Sequence, residues 1–306
     1  MTTPASRANS IDGHPTDWVP IVASHSGLVC SNHNKQAWSA HPTVRSSFRI
    51  LLSHGLGVSL MADRLLVLQH LDCEGPDLIA DLALERGLAM EVFRTDRGDP
   101  LPDHTETPGS IALVLGGPMS TSDPLPWLQQ ELEWLRCRHQ KQQPILGICL
   151  GAQLLAIAAG GSVEPLRVGD PPSPLKEVGY GAIHWLRNTE QEPVLRGMNP
   201  SETVLHWHGD RIRLPASATL LGSSLHCREQ VFRIAQHAFA LQCHLEVSGP
   251  NLERWIQEDR DYVIAAMGAD GPEQLLQDWS QLHPQIEQQA RRLFSNLLDQ
   301  WSRPLQ

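Results

Sequence analysis

The stretch PILGICLGAQLLA (144–156) constrains what this chain can fold into more than any other. An apolar run enters, Cys149 sits between glycines two positions before and two after it, and an apolar run leaves. Entry as a buried strand and exit as a helix make the middle a sharp turn. Small residues on either side of the apex let the backbone fold that tightly. Two readings fit Cys149. It is a buried structural thiol between turn glycines, or a nucleophile on a strand-to-helix elbow, the G-x-S-x-G arrangement with sulfur for oxygen. In the second reading the N-terminus of the following helix stabilises a thiolate.

The flanking segments alternate in the same sense. RLLVLQ (64–69), MEVFR (90–94) and IALVLGG (111–117) read as strands. GPDLIADLALERGL (75–88), with Pro76 suited to the first helical position, and PWLQQELEWLRCRHQKQ (126–142) read as helices. Strands alternating with helices predict an α/β fold of three layers, a mostly parallel sheet flanked by helices. Beyond residue 176 the texture shortens to EVGYGAIHW, ATLLGSS, VFRIAQ and FALQCHLEV. In the tail, Ile286, Ala290, Leu293, Leu297 and Trp301 have helical spacing. No linker interrupts 62–306, which is expected to be one domain that includes C-terminal helices over 251–306. Residues 1–61 mix Ser, Thr, Asn, His and Pro with little periodicity and read as a poorly ordered extension. The expected start of the cellular protein is Met61; a Ser-rich, acid-poor targeting segment is the alternative.

Composition excludes several functions. A formal net charge of −10 and only three lysines argue against nucleic acid, which requires clustered cations. No uninterrupted apolar stretch reaches the length of a membrane span. The six cysteines show neither disulfide nor zinc spacing, and free thiols point to a reducing, cytoplasmic setting. His206 and His208, in LHWHGDRIRLP (205–215), form an H-x-H without further ligands at suitable spacing, so no metal site is expected. No lysine follows a glycine, so a G-x-x-x-x-G-K phosphate loop is absent.

A nucleophilic cysteine needs a base, and the base needs a group that orients it. FALQCHLEV (239–247) offers His244 and Glu246, which share one face of an extended backbone. The plainer alternative is a strand-end histidine beside a solvated acid. LGGPMS (115–120) ends a strand in glycines, and the amides of Gly117 and Leu150 are placed to serve as oxyanion donors.

VLGGPMS, PILGICLGAQLLA and ALQCHLEV resemble, in order, three signature segments of the class I (triad-type) glutamine amidotransferases. The likeness is nearest to the glutaminase domain of GMP synthase and its stand-alone relatives, and it covers roughly 64–250. It implies a flavodoxin-like fold and a Cys-His-Glu triad of Cys149, His244 and Glu246. It also implies oxyanion amides from Gly117 and Leu150, and a substrate contact from Gln153. Cys243 and Leu245 stand where many relatives carry an aromatic residue and proline; Cys243 reads as a buried strand cysteine. The implied activity is hydrolysis of the glutamine side-chain amide through a cysteine γ-glutamyl thioester, with no cofactor. Because the chain shows no nucleotide site, any ammonia-accepting synthetase would be a separate polypeptide. The alternative is a γ-glutamyl peptidase acting on glutathione-like peptides. A non-catalytic regulatory subunit ranks lower because all three triad positions are filled. A cysteine-elbow protease or chaperone ranks lower because Leu150, not histidine, follows the cysteine.

Overall fold

Strand β1 (Arg64–Leu68) is apolar on both faces because both are covered: Leu65 and Val67 enter one core, Leu66 and Leu68 another. The computed structural model describes residues 62–104 and 109–302. After β1 come α1 (Asp77–Glu85), β2 (Ala89–Phe93), β3 (Ser110–Val114), α2 (Pro126–Gln140), β4 (Ile145–Ile148) and α3 (Leu150–Ala158). Short strands β5 (Ser162–Pro165), β6 (Arg167–Val168) and β7 (Ser173–Pro174) lead to the longer β8 (Glu177–Trp185) and β9 (Ser201–His208). Then come β10 (Asp210–Arg213), β11 (Ala218–Ser223), β12 (Val231–Ile234) and β13 (Ala238–Leu241). Helices α4 (Gly249–Glu258), α5 (Arg260–Met267) and α6 (Gly271–Trp301) close the chain. Expectations for residues 1–61 lie outside the described residues.

Nine strands form one sheet in the order β2-β1-β3-β4-β13-β12-β11-β8-β9. The first five are parallel, as the strand–helix alternation predicts. The rest pair antiparallel, and this half of the sheet comes mainly from the shorter strands beyond residue 176. Helices α1 and α6 cover the face that carries Leu65, Val67, Ile111 and Leu113. On the opposite face α2 and α3 pack against Leu66, Leu68, Ala112 and Val114, completing the three-layer α/β fold. A third cluster holds α4 and α5 against Leu205 and Val247.

Cys73, Cys149, Cys227 and Cys243 are free thiols. Among the described residues no helix is long and apolar enough to cross a membrane.

The topology decides where chemistry can gather. In a parallel α/β sheet that place is beyond the carboxyl ends of the strands. Strand β4 lies between β3 and β13, with Val114 opposite Gly147 and Leu241 opposite Ile148. The chain leaving each of these strands therefore emerges at one spot.

Candidate active site

At that spot β4 turns into α3, and Cys149 is the hinge, with φ 52° and ψ −106°. A positive φ in a non-glycine residue costs energy and persists only where surrounding contacts impose it. Here the Cys149 amide donates to the Leu241 carbonyl at 2.8 Å. The flanking glycines are steric requirements. A Cβ on Gly147 would lie 2.6 Å from the Gly151 carbonyl oxygen, and one on Gly151 would collide with the Val114 carbonyl. The buried sulfur sits at the N-terminus of α3.

Past the end of β13 the chain holds His244 through two backbone bonds to β9: its amide donates to Leu205 at 2.8 Å and its carbonyl accepts from Leu205 at 3.1 Å. His244 Nδ1 donates to Glu246 Oε1 at 2.7 Å, while Glu246 Oε2 accepts the Leu245 amide at 3.0 Å. The Trp255 ring meets the imidazole edge-on, 4.9 Å between centroids. Burial opposes charge on His244, but the Glu246 carboxylate and the Cys149 sulfur hold its pKa well above the usual imidazole value. The structure thus brings Cys149, His244 and Glu246 together.

Cys149, His244, Gly117, Leu150 and Gln153 line one cavity of about 370 Å³. Leu150 is the first residue of α3, so its amide has no intrahelical acceptor. The Gly117 amide is aimed from behind. The Gly116 carbonyl accepts a 2.8 Å bond from His70 Nδ1, and in a planar trans peptide the following N–H points the opposite way. His70 is buried, and its Nε2 donates to Glu131 at 3.1 Å; Thr95 Oγ1 donates to the same carboxylate at 3.1 Å. Burial disfavours charge on His70, yet Glu131 and the Gly116 carbonyl raise its pKa.

Gln153 Nε2 donates to Gln242 Oε1 at 3.2 Å, and Gln242 Nε2 reaches the Cys149 sulfur at 3.7 Å. Gln242 escaped the sequence reading, although positions 242, 244 and 246 alternate onto one side and the signal was present. Glu74, Lys176, Trp207, Asp259 and Tyr262 also line the cavity and carried no sequence signal. Burial pushes the Glu74 carboxyl up to about 7, against the pull of His244 and His70. Lys176 Nζ lies 4.2 Å from the Tyr262 ring centroid, and Trp207 Nε1 donates to Asp259 at 3.2 Å. Cys243 packs in the core, and burial holds its thiol well above the ordinary range. His208 reaches the cavity wall while His206 does not. A second cleft, of about 250 Å³ beside Trp279, is lined by no cysteine.

Residues 70–259 match the family described as "Glutamine amidotransferase class-I". The glutamine amidotransferase-like protein YfeJ of Salmonella typhimurium is 28% identical over 191 residues, 61% of this chain and 77% of that protein. Gamma-glutamyl peptidase 3 of Arabidopsis thaliana is 26% identical over 216 residues, 65% of this chain and 82% of that one. A crystal structure of a glutamine amidotransferase from Thermotoga maritima superposes with a TM-score of 0.67 at 26% identity, covering 77% of this chain and 98% of that one. A family match that begins at His70 and runs past Glu246 takes in both ends of the convergence described above, and the chain belongs to the class I glutamine amidotransferases.

Proposed function

We propose that this chain is a cysteine-dependent amidohydrolase that cleaves the side-chain amide of glutamine, with Cys149 as nucleophile, His244 as acid and base, and Glu246 as the group that orients and charges His244. One observation carries the reading: a strained elbow cysteine and His244, itself bonded to the buried Glu246 carboxylate, line a single cavity. The Cys149 thiolate attacks the amide carbon, and the oxyanion that forms is held by the Gly117 and Leu150 amides. The C–N bond breaks as the His244 imidazolium protonates the departing nitrogen, leaving a γ-glutamyl thioester and ammonia. Neutral His244 then takes a proton from water; the hydroxide attacks the thioester, the thiolate leaves and glutamate is released. The substrate's α-ammonium and α-carboxylate need opposite charges nearby. The cavity wall offers Asp259 for the first and Lys176 for the second, while Gln153 supplies a polar contact.

A second reading has its own support, the likeness to gamma-glutamyl peptidase 3 over 82% of that protein. The attacked carbonyl is the same and only the leaving amine differs. Purified protein is incubated with glutamine and, separately, with glutathione, and glutamate is measured. Release from glutamine at the higher kcat/KM supports the glutaminase; release mainly from glutathione replaces it with the peptidase; release from neither sinks both.

His70 and Glu131 enter the same reading as positioning residues, since they fix the peptide plane that aims the Gly117 amide. Losing one oxyanion donor costs roughly 10²–10³ in kcat. His70→Leu is expected to lower kcat by about 10-fold to 100-fold with a smaller change in KM. His70→Asn, whose amide nitrogen falls near the place of Nδ1, should recover much of that loss. Equal kcat in both variants and the parent would remove His70 from the machinery.

A further inference from the structure

The H-x-H in LHWHGD, set aside in the sequence for want of further ligands, gains one in three dimensions. Strand β8 pairs with β9 so that Glu177 lies opposite His208 and Gly179 opposite His206. Gly181, a diagonal neighbour, leaves room for the second ring: a Cβ there would lie 3.0 Å from His206 Cδ2. Glu177 Oε2 stands 3.0 Å from His208 Nε2 and 3.8 Å from His206 Nδ1. One donor atom from each of the three falls within 4.8 Å of the others, and all three side chains are buried.

Hydrogen bonds leave this cluster incomplete. His206, 3% exposed, has an Nδ1 without a hydrogen-bond partner among the described residues. Gln230, 0% exposed, directs Nε2 at both Glu177 (2.8 Å) and His208 Nε2 (3.1 Å), while its Oε1 has no partner among the described residues. Exchanging the two ends of that amide, which are nearly indistinguishable in shape, turns the carbonyl oxygen toward the same centre. Buried polar atoms that lack partners are costly, and here two of them flank a buried carboxylate. Ser224 Oγ donates to the outer oxygen of Glu177 at 2.6 Å, orienting the carboxylate as a partner beyond the ligands would.

We infer that Glu177, His206, His208 and Gln230 form a binding site for a divalent transition cation of the zinc class. Two imidazoles and two oxygens suit such an ion, whereas calcium or magnesium would require an all-oxygen set. The role is structural. Between the two histidines lies Trp207, whose carbonyl is 3.9 Å from the Cys149 sulfur, and Leu205, on the same strand, pairs with His244. An ion joining β8 to β9 therefore fixes the strand against which both reacting residues are set.

The test uses the full chain with Cys149→Ser, so that the active-site sulfur cannot hold the ion. The protein is stripped with a chelator and titrated separately with zinc and with cobalt(II). Expected results are stoichiometric uptake, the intense visible absorption of four-coordinate cobalt, and a melting temperature that rises with metal. His206→Ala and Glu177→Gln should each weaken binding by at least about 100-fold. Failure of the Cys149→Ser parent to take up either metal overturns the site, whether or not the variants fold. Undiminished uptake and an unchanged cobalt spectrum in His206→Ala would also overturn it.

Discussion

Cys149→Ser is expected to lower kcat by at least about 10⁴-fold while the protein still binds glutamine and keeps its fold. The oxygen replaces sulfur at the same elbow and occupies less volume, so the close contacts at Gly147 and Gly151 stay as they are. What changes is the acid. A serine hydroxyl does not ionise beside an imidazolium, so the anionic nucleophile, the step's driving element, is lost. Binding is expected to survive because Gln153, Lys176 and Asp259, the cavity residues proposed to hold the substrate's far end, are untouched. Thioester trapping with labelled glutamine, together with calorimetric binding, checks both halves. A Cys149→Ser protein that still forms a covalent γ-glutamyl adduct at the parent's rate would remove the sulfur from the reaction. Loss of binding together with turnover would instead point to a collapsed site, which a melting curve would reveal.

Those features were legible where local pattern and tertiary need coincide. Apolar runs such as 64–68 and 110–114 are buried on both faces, so nothing competes with the strand reading. The glycines around Cys149 announced the elbow because no other residue fits against Val114 and Gly151. β2 is a different case: Met90 and Val92 are exposed, and its place at the edge follows from pairing with β1. The antiparallel half was readable as strands but not as an order, since the adjacency of β8 to β11 depends on side chains far apart in the chain. Glu131 reaches His70 from the middle of α2, and no spacing rule joins a helix position to a strand end. Glu177 was invisible as a partner of His208 for the same reason: only cross-strand register brings them together. Residues that carry chemistry at a turn leave a local trace; residues that hold them from behind leave none.

Glu246→Gln tests whether the carboxylate charges His244 or merely positions it. Glutamine keeps the shape and still offers Oε1 to His244 Nδ1, but it turns an amide NH₂ toward the Leu245 amide, which needs an acceptor. With the negative charge gone, burial, already the largest single influence on His244, is less opposed and pulls its pKa down from its raised value. The His244 imidazolium that the proposed mechanism requires is then depleted. The expected result is a kcat lower by about 10²–10⁴-fold at pH 7, with a changed pH–rate profile. Stability follows a sign that can be worked out. A histidine whose folded pKa is raised contributes stability that is complete below its unfolded value of 6.5 and fades as pH rises through the folded value. Denaturant unfolding of the parent across that range should therefore show a falling component that Glu246→Gln flattens. A variant with the parent's pH–rate profile and the parent's pH-dependent stability would mean that the buried carboxylate supplies no charge to the site, leaving His244 to act without it.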